Sequence, residues 1–375
     1  MRLLALFCFY GCLLSACSGR QGSPAAAGAP APPPSPSPTP WVSAVGPDGL
    51  PSSAMELLTA SQDASCDLDF ERSEALALEA VRQYPEHPLP RIFLQAAVLA
   101  QLQESDESGL KDEKLVRRFE RETAAALRVA RQREAAAPDA RSQLYLGCCL
   151  GVRGLVKMQS GHFLRAYYDG QDAAQSLRLA LSRDPGLYEA DLGLGQYDYF
   201  CGRMAGPLRF VAGLKGDVRA GISRLEACAS RGGCAGTSAR LALARIYSLE
   251  ETDFAKALPY VRELRRRYPR NYSYVQYALA TARGLGWQDP RSQALLEGIS
   301  RQWDKGWRPP AHAKLALERA RLELARAYLR QGRKSRALAQ FRSLAASADA
   351  SVAGAGRRGL EAALRNKGGQ EGIQE

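Results

Sequence analysis

Residues 180–195 read ALSRDPGLYEADLGLG, and the placement of proline, alanine and glycine in and before this stretch decides the fold. Pro185 closes a helical pattern in which Ala180, Leu177 and Ala173 stand five, eight and twelve residues earlier, so small and apolar side chains share one helix face. Gly161 lies twenty-four residues before Pro185, and Gly195 follows Gly161 by thirty-four. Small residues recurring at such a spacing mark helices that bury one face against equivalent neighbours.

Outward from this stretch, the chain beyond residue 54 is built of Ala, Leu, Arg and Glu in helical spacing, with almost no alternating β-branched runs of the kind that mark strands. Other windows repeat part of the pattern. FERSEALALEAVRQYP (70–85) places Ala80 five residues before Pro85, and FAKALPYVRELRRRYP (254–269) places Ala257 twelve residues before Pro269. LELARAYLRQGRKSRALAQFRSL (322–344) carries Leu324, Ala325, Tyr328, Gly332, Ala337 and Phe341 in the same order of small and large residues.

These residues resemble the tetratricopeptide repeat, a helix pair with small residues at positions 8 and 20, an apolar residue at 24, Ala at 27 and Pro at 32. The resemblance implies an all-α fold, a tetratricopeptide-like α-solenoid of four to six irregular helix pairs with a concave face lined by first helices. It is strongest across residues 154–201 and 318–344. An unrelated helical bundle rich in Ala and Leu is the alternative. Two stretches depart from the pattern: Pro259 falls inside a second helix, and Cys201–Asp217 is too long for a repeat turn.

With Gly161 at position 8, the family's groove positions fall on His162 and Arg165 in one repeat, on Gln196, Tyr199 and Phe200 in the next, and on Arg326 and Arg330 near the C-terminus. This mixture of aromatics and Arg suits an extended acidic peptide or a carboxyl end. The alternative is that Tyr199 and Phe200 pack beneath the Cys201–Asp217 stretch.

At the other end, Met1 and Arg2 precede an apolar run from Leu3 to Leu14 and the small residues Ser15 and Ala16. The run is too short for a membrane-spanning helix, which needs about 18 to 20 apolar residues, and reads as an export signal. Leu14, Ser15, Ala16 and Cys17 resemble the lipobox of bacterial lipoproteins, which implies cleavage before Cys17 and a lipid on its sulfur; a standard signal peptide cut elsewhere is the alternative. The Pro/Ala/Ser/Gly tract that follows lacks the large apolar side chains needed to offset the entropy of ordering, and it reads as a tether reaching roughly 70 Å. Ser18, rather than Asp, follows the cysteine, which by the same resemblance favours the outer membrane, facing the periplasm, in a double-membraned host. The expected organisation is a signal peptide at 1–16, the lipidated Cys17 and tether at 17–53, a helical repeat domain at 54–366 and a disordered tail at 367–375.

The precursor carries 51 Lys+Arg against 39 Asp+Glu, a formal charge of +12. Interleaving of the two signs, as in KDEKLVRRFERETAAALRVARQRE, makes a solvated helix face the better reading, and export argues against nucleic acid. Of nine cysteines, six follow Cys17: Cys66, Cys148, Cys149, Cys201, Cys228 and Cys234. Cys228 and Cys234 flank a short glycine-containing loop and are the candidate disulfide of an oxidising compartment. No pair of CxxC elements occurs and only three histidines are present, so neither a metal nor another cofactor is expected.

His162 and Asp169 near Cys148 and Cys149 invite comparison with a Cys/His nucleophile system, but YLGCCLGVRGLV reads as an apolar helix with packed thiols. No HExxH or GxSxG motif appears. The expected function is therefore a non-enzymatic one: a protein-binding adaptor or scaffold in the cell envelope, held by a lipid anchor, with protein partners that include acidic extended peptides. A periplasmic chaperone or recruiting module is the runner-up, and an envelope enzyme with an unrecognised site is the reading from another class.

Overall fold

The computed structural model describes residues 49–105, 112–212, 216–307 and 311–365. The chain divides into two units between Ala239 and Arg240. The export signal, Cys17, almost all of the tether and the residues after 365 lie outside the described residues.

The first unit begins with α1 (Ser52–Cys66), α2 (Phe70–Gln83), α3 (Pro88–Ser105) and α4 (Glu113–Ala136), and continues with α5 (Ala140–Gln159), α6 (Phe163–Arg183), α7 (Ala190–Ala212) and α8 (Val218–Arg231). The division falls within α9 (Ala235–Arg245). In the second unit a π turn at Ile246–Glu250 leads to α10 (Phe254–Arg267), α11 (Tyr272–Leu285), α12 (Pro290–Asp304), α13 (Ala311–Arg330), α14 (Lys334–Ala345) and α15 (Ala350–Arg365). The fold is all-α, and consecutive helices pack as antiparallel pairs.

Local chemistry explains where the helices begin and end. Asp69, Asp112, Asp139, Asp217, Asp253, Asn271 and Asp289 each accept a backbone N–H of the following first turn, which satisfies a donor the helix itself leaves unpaired. Asp139 and Ser142 form a reciprocal capping box at the start of α5. The helices α2, α4, α6 and α10 all stop in one way: Tyr84, Ala137, Asp184 and Tyr268 leave the helical region immediately before Pro85, Pro138, Pro185 and Pro269. The pyrrolidine ring clashes with a helical preceding residue, so these prolines punctuate second helices as expected. Pro138 was not part of the expected pattern and belongs to it.

The turns into second helices also share a geometry. Leu68, Gly161, Thr252 and Gly332 all have positive φ, and each stands two residues before α2, α6, α10 or α14. Gly161 is thus the counterpart of Gly332 and occupies the turn, not a helix crossing. The register that set Gly161 at position 8 is displaced on the first-helix side. Helix α5 approaches α6 closely at Gly154, where a Cβ would lie 3.1 Å from Cβ of Asp169 and 3.3 Å from the carbonyl of Ala166, and again at Gly147, where it would lie 2.7 Å from Cγ of Leu177 and 3.2 Å from the carbonyl of Ala173. On the second-helix side the expectation agrees with the structure, with Ala173, Leu177 and Ala180 all buried.

Two further expectations change. The Cys201–Asp217 stretch is largely helix, because α7 continues to Ala212. Pro259 does lie within α10, on an exposed face beside exposed Ala255, whose carbonyl loses its helical partner to the proline and can turn to water.

In the first unit, α1, α3, α5 and α7 touch one another in succession as well as their hairpin partners, forming one continuous layer. No comparable packing joins α2, α4, α6 and α8 among the described residues. The core at this layer includes Leu58, Leu127, Tyr145, Cys149, Leu177, Leu187 and Leu194. In the second unit α11, α13 and α15 form the corresponding layer. There Arg321 on α13 is buried, with Gln340 accepting from its Nε at 2.9 Å and the Trp303 ring 5.1 Å from its guanidinium carbon.

Candidate protein-binding surface

In the first unit the expected groove residues separate into buried and exposed sets. Tyr199 and Phe200 on α7 are buried and meet edge to face with centroids 5.0 Å apart, so they pack the helix and are closed to a ligand. Their burial comes from packing within the array: a Cβ on Gly221 of α8 would stand 2.5 Å from the backbone nitrogen of Tyr199. Gln196 is half-buried on the same helix.

His162 and Arg165 are exposed at the start of α6, where His162 occupies the N-cap without a side-chain capping bond. The shifted register explains why they sit on a second helix. It also places them beside a feature the sequence pattern did not single out. Phe163, Leu164 and Tyr168 are exposed by 42%, 67% and 56%, three large apolar side chains within two turns of one helix. Tyr167 lies against Tyr168 with ring centroids 5.6 Å apart, and its hydroxyl accepts from Gln171 at 2.6 Å. FLRAYY was legible as a helix; its outward orientation required the register.

Beneath this surface the charges are internally paired. Asp169 takes a bidentate bond from Arg153, at 2.9 and 2.6 Å, and a third from Lys157 at 2.7 Å. Burial raises its carboxyl, but the bonds to Arg153 and Lys157 outweigh this and hold it below the usual carboxylate range. Asp198 on α7 differs. Burial dominates and raises it, although Arg178 and Arg224 stand 3.6 and 3.3 Å away.

The six cysteines from Cys66 onward are thiols in the structure, Cys228 and Cys234 included. Burial pushes the Cys148 thiol up to about 12, with Cys234 and Glu189 adding to it, and pushes Cys234 up to about 11. Cys149 is raised further, chiefly by burial. Asp169 is engaged by Arg153 and Lys157 on α5, and His162 is solvent-exposed, so the Cys/His nucleophile arrangement is not assembled here. Among the described residues, no group of three or more His, Cys, Asp or Glu side chains has the arrangement to hold a metal ion. No described helix is long and apolar enough to cross a membrane.

In the second unit Arg326 and Arg330 lie one turn apart on the exposed face of α13. Arg326 donates to Glu323 at 2.5 Å, and Arg330 donates two bonds to the side-chain oxygen of Gln288 when that amide is oriented to receive them. Both guanidiniums are therefore committed within the unit, though exposed enough to exchange partners.

No family model and no curated protein matches the chain. Among solved structures, it is similar to a tetratricopeptide repeat protein from Parabacteroides merdae ATCC 43184, at 14% sequence identity and a TM-score of 0.29, over 84% of this chain and 99% of that one.

Proposed function

We propose that this protein is a lipid-anchored adaptor or scaffold of the bacterial cell envelope that binds protein partners through its helical array. The observation that carries the binding role is the exposed cluster of Phe163, Leu164 and Tyr168, flanked by His162 and Arg165. Contiguous apolar side chains rimmed by polar ones are costly to leave in water and are characteristic of surfaces that another protein covers. Stacked helical pairs hold the backbone beneath such a cluster in place, so association costs side-chain order but little backbone order.

The anchor rests on the sequence Leu14–Ser15–Ala16–Cys17 and on the tract after it. Diacylation would supply many buried methylenes at about 0.8 kcal/mol each, enough for stable attachment. The tether would then let the array sample the space beside the membrane, with the outer membrane the preferred placement because Ser18 follows the cysteine.

The test is recovery of partners from detergent-solubilised envelopes, comparing wild type with Leu164→Asp and Tyr168→Ala. A partner recovered in stoichiometric amount with wild type and lost with both variants is the expected result. Equal recovery by all three would remove the α6 surface from the proposal, and recovery of the chain alone would remove the adaptor role. Metabolic acyl labelling of wild type but not Cys17→Ala is the matching expectation for the anchor.

A further inference from the structure

Between α10 and α12 the second unit holds a cavity of about 640 Å³, and the side chains around it are unbalanced in charge. Arg262, Arg265 and Arg266 approach from α10, and Arg301 and Lys305 from the end of α12, over a floor that includes Leu295 and Ile299. Cations in the last turn of a helix offset its dipole, which accounts for Arg on each helix taken singly. It does not account for five cations converging from two helices on one hollow.

The partners within the unit leave the imbalance in place. Arg265, the least exposed of the five, donates to the carbonyl of Pro269 at 2.9 Å and to the side-chain oxygen of Gln302. Both acceptors are neutral. Gln302 in turn donates to the Pro269 carbonyl at 3.1 Å, which fixes the amide with its oxygen toward Arg265. Burial lowers the Arg265 guanidinium to about 10, a desolvation that no carboxylate offsets. Arg301 reaches Glu297 only at 3.8 Å, and Glu297 is already held by Tyr328 at 2.5 Å and Arg336 at 3.0 Å. Like charges gathered around an open hollow repel one another, and an anion inside it relieves both that repulsion and the desolvation of Arg265.

We propose that this cavity binds a phosphoryl group, with Arg265 as the oriented inner donor, Arg262, Arg266, Arg301 and Lys305 closing on the oxygens, and the apolar floor receiving the organic part. A peptide carboxylate offers one charge and two oxygens. A phosphomonoester offers nearly two charges and three strong acceptors, a better match to several forked donors. The group can belong to a lipid headgroup or to a soluble phosphorylated molecule. The proposal is independent of the anchor and of the α6 surface.

Calorimetric titration of the full chain carrying Cys17→Ser with inorganic pyrophosphate, and flotation with phosphatidylcholine vesicles with or without phosphatidic acid, test it. Pyrophosphate is expected to bind, and Arg265→Gln and Arg266→Gln are each expected to weaken binding about tenfold or more. Arg266 is exposed and tests the site even where Arg265→Gln disturbs folding. Arg117→Gln removes the same charge from exposed α4 and is expected to change affinity less than twofold. Capture by phosphatidic acid vesicles in competition with pyrophosphate assigns a lipid headgroup; pyrophosphate binding without vesicle capture assigns a soluble phosphate. An equal loss in all three variants, no binding of either probe, or binding of polyglutamate that pyrophosphate fails to displace would overturn the proposal.

Discussion

Gly195 and Gly221 close the crossing of α7 and α8 from opposite sides. A Cβ on Gly195 would lie 2.9 Å from the Gly221 carbonyl oxygen, and a Cβ on Gly221 would lie 2.7 Å from the Gly195 carbonyl oxygen. Cγ of Leu225 also lies 2.8 Å from the Gly195 position, but the carbonyl oxygens are backbone, so no rotamer change alone can make room. Gly195→Ala is therefore expected to destabilise by about 1 to 3 kcal/mol through overpacking, and Gly195→Leu by more. Gly151 in α5 provides the contrast, since its Cβ would meet only Cβ of Ala173 at an ordinary 3.8 Å. Gly151→Ala should stabilise by about 0.4 to 1 kcal/mol by restricting the unfolded chain. Thermal midpoints moving in opposite directions are the expected result; a Gly195→Ala midpoint at or above wild type would refute the crossing.

Thr252 holds φ +52 in an exposed turn, where Gly161 and Gly332 perform the same task without a Cβ. A β-branched residue in this region is strained by about 1 to 2 kcal/mol. Thr252→Gly should recover part of that, less the extra entropy glycine gives the unfolded chain, for a net gain near 0.5 kcal/mol. Denaturant midpoints of the two proteins measure it, and a lower midpoint for the glycine variant would count against a shared turn.

The carboxylates of Asp169 and Asp198 are shifted in opposite senses, lowered and raised respectively. A lowered folded-state value gives stability that is present above the unfolded value and lost as pH falls through the folded one. A raised folded-state value gives stability that is full below the unfolded value and lost as pH rises through the folded one. Asp169→Asn should thus destabilise at neutral pH, by about 1 to 3 kcal/mol for its charged hydrogen bonds, with the difference from wild type shrinking in acid. Asp198→Asn should be near neutral or stabilising at pH 7, because Arg224 keeps its 2.7 Å bond to Asp191. Chemical denaturation at pH 7 and at about pH 3, below the ordinary aspartate value, reads both signs.

The thiols of Cys148, Cys201 and Cys234 are pushed up to about 12, 11 and 11, in each case first by burial. Thiolate is the reacting form, so little is present at pH 8. Alkylation of the folded, reduced protein by iodoacetamide should be far slower at these positions than in denaturant. In protein recovered from an oxidising compartment, non-reducing peptide mapping is expected to find Cys228 bridged to Cys234, the two thiols that flank the Gly232–Gly233 turn. Finding both alkylatable without reductant there would exclude the bridge.

The second-helix half of each repeat was readable because it depends on rules local to the chain. Proline after the last turn stops a helix, and Ala173, Ala180, Ala257 and Ala337 fall on a face too crowded for larger side chains; all four are buried. The first-helix half was not, because Gly161 satisfies two different demands equally well. Glycine serves a close helix crossing and a positive-φ turn alike, and only the position of the neighbouring helix distinguishes them. Helices α5 and α6, of 20 and 21 residues, are longer than a 34-residue repeat allows, so counting from Gly161 misplaced the groove. The exposure of Phe163 and Leu164 follows from that geometry. The cavity between α10 and α12 was half legible, since RELRRRYPR (262–270) is plainly basic, while Arg301 and Lys305 join it only through tertiary packing.

The succession of α1, α3, α5 and α7 has a mechanical consequence. Each hairpin of the first unit is gripped by its immediate neighbours; among the described residues the α1–α2 pair packs closely only on the α3–α4 pair and otherwise meets α9 through the 3.4 Å bond from Gln62 to Ser238. A load applied at residue 49 and reacted within the array would open that pair before the α5–α6 pair, whose two helices share the Gly154 approach and the Asp169 ion pairs. A chain built this way yields in steps under tension, surrendering its outermost hairpin while the helices that display Phe163 and Leu164 keep their shape.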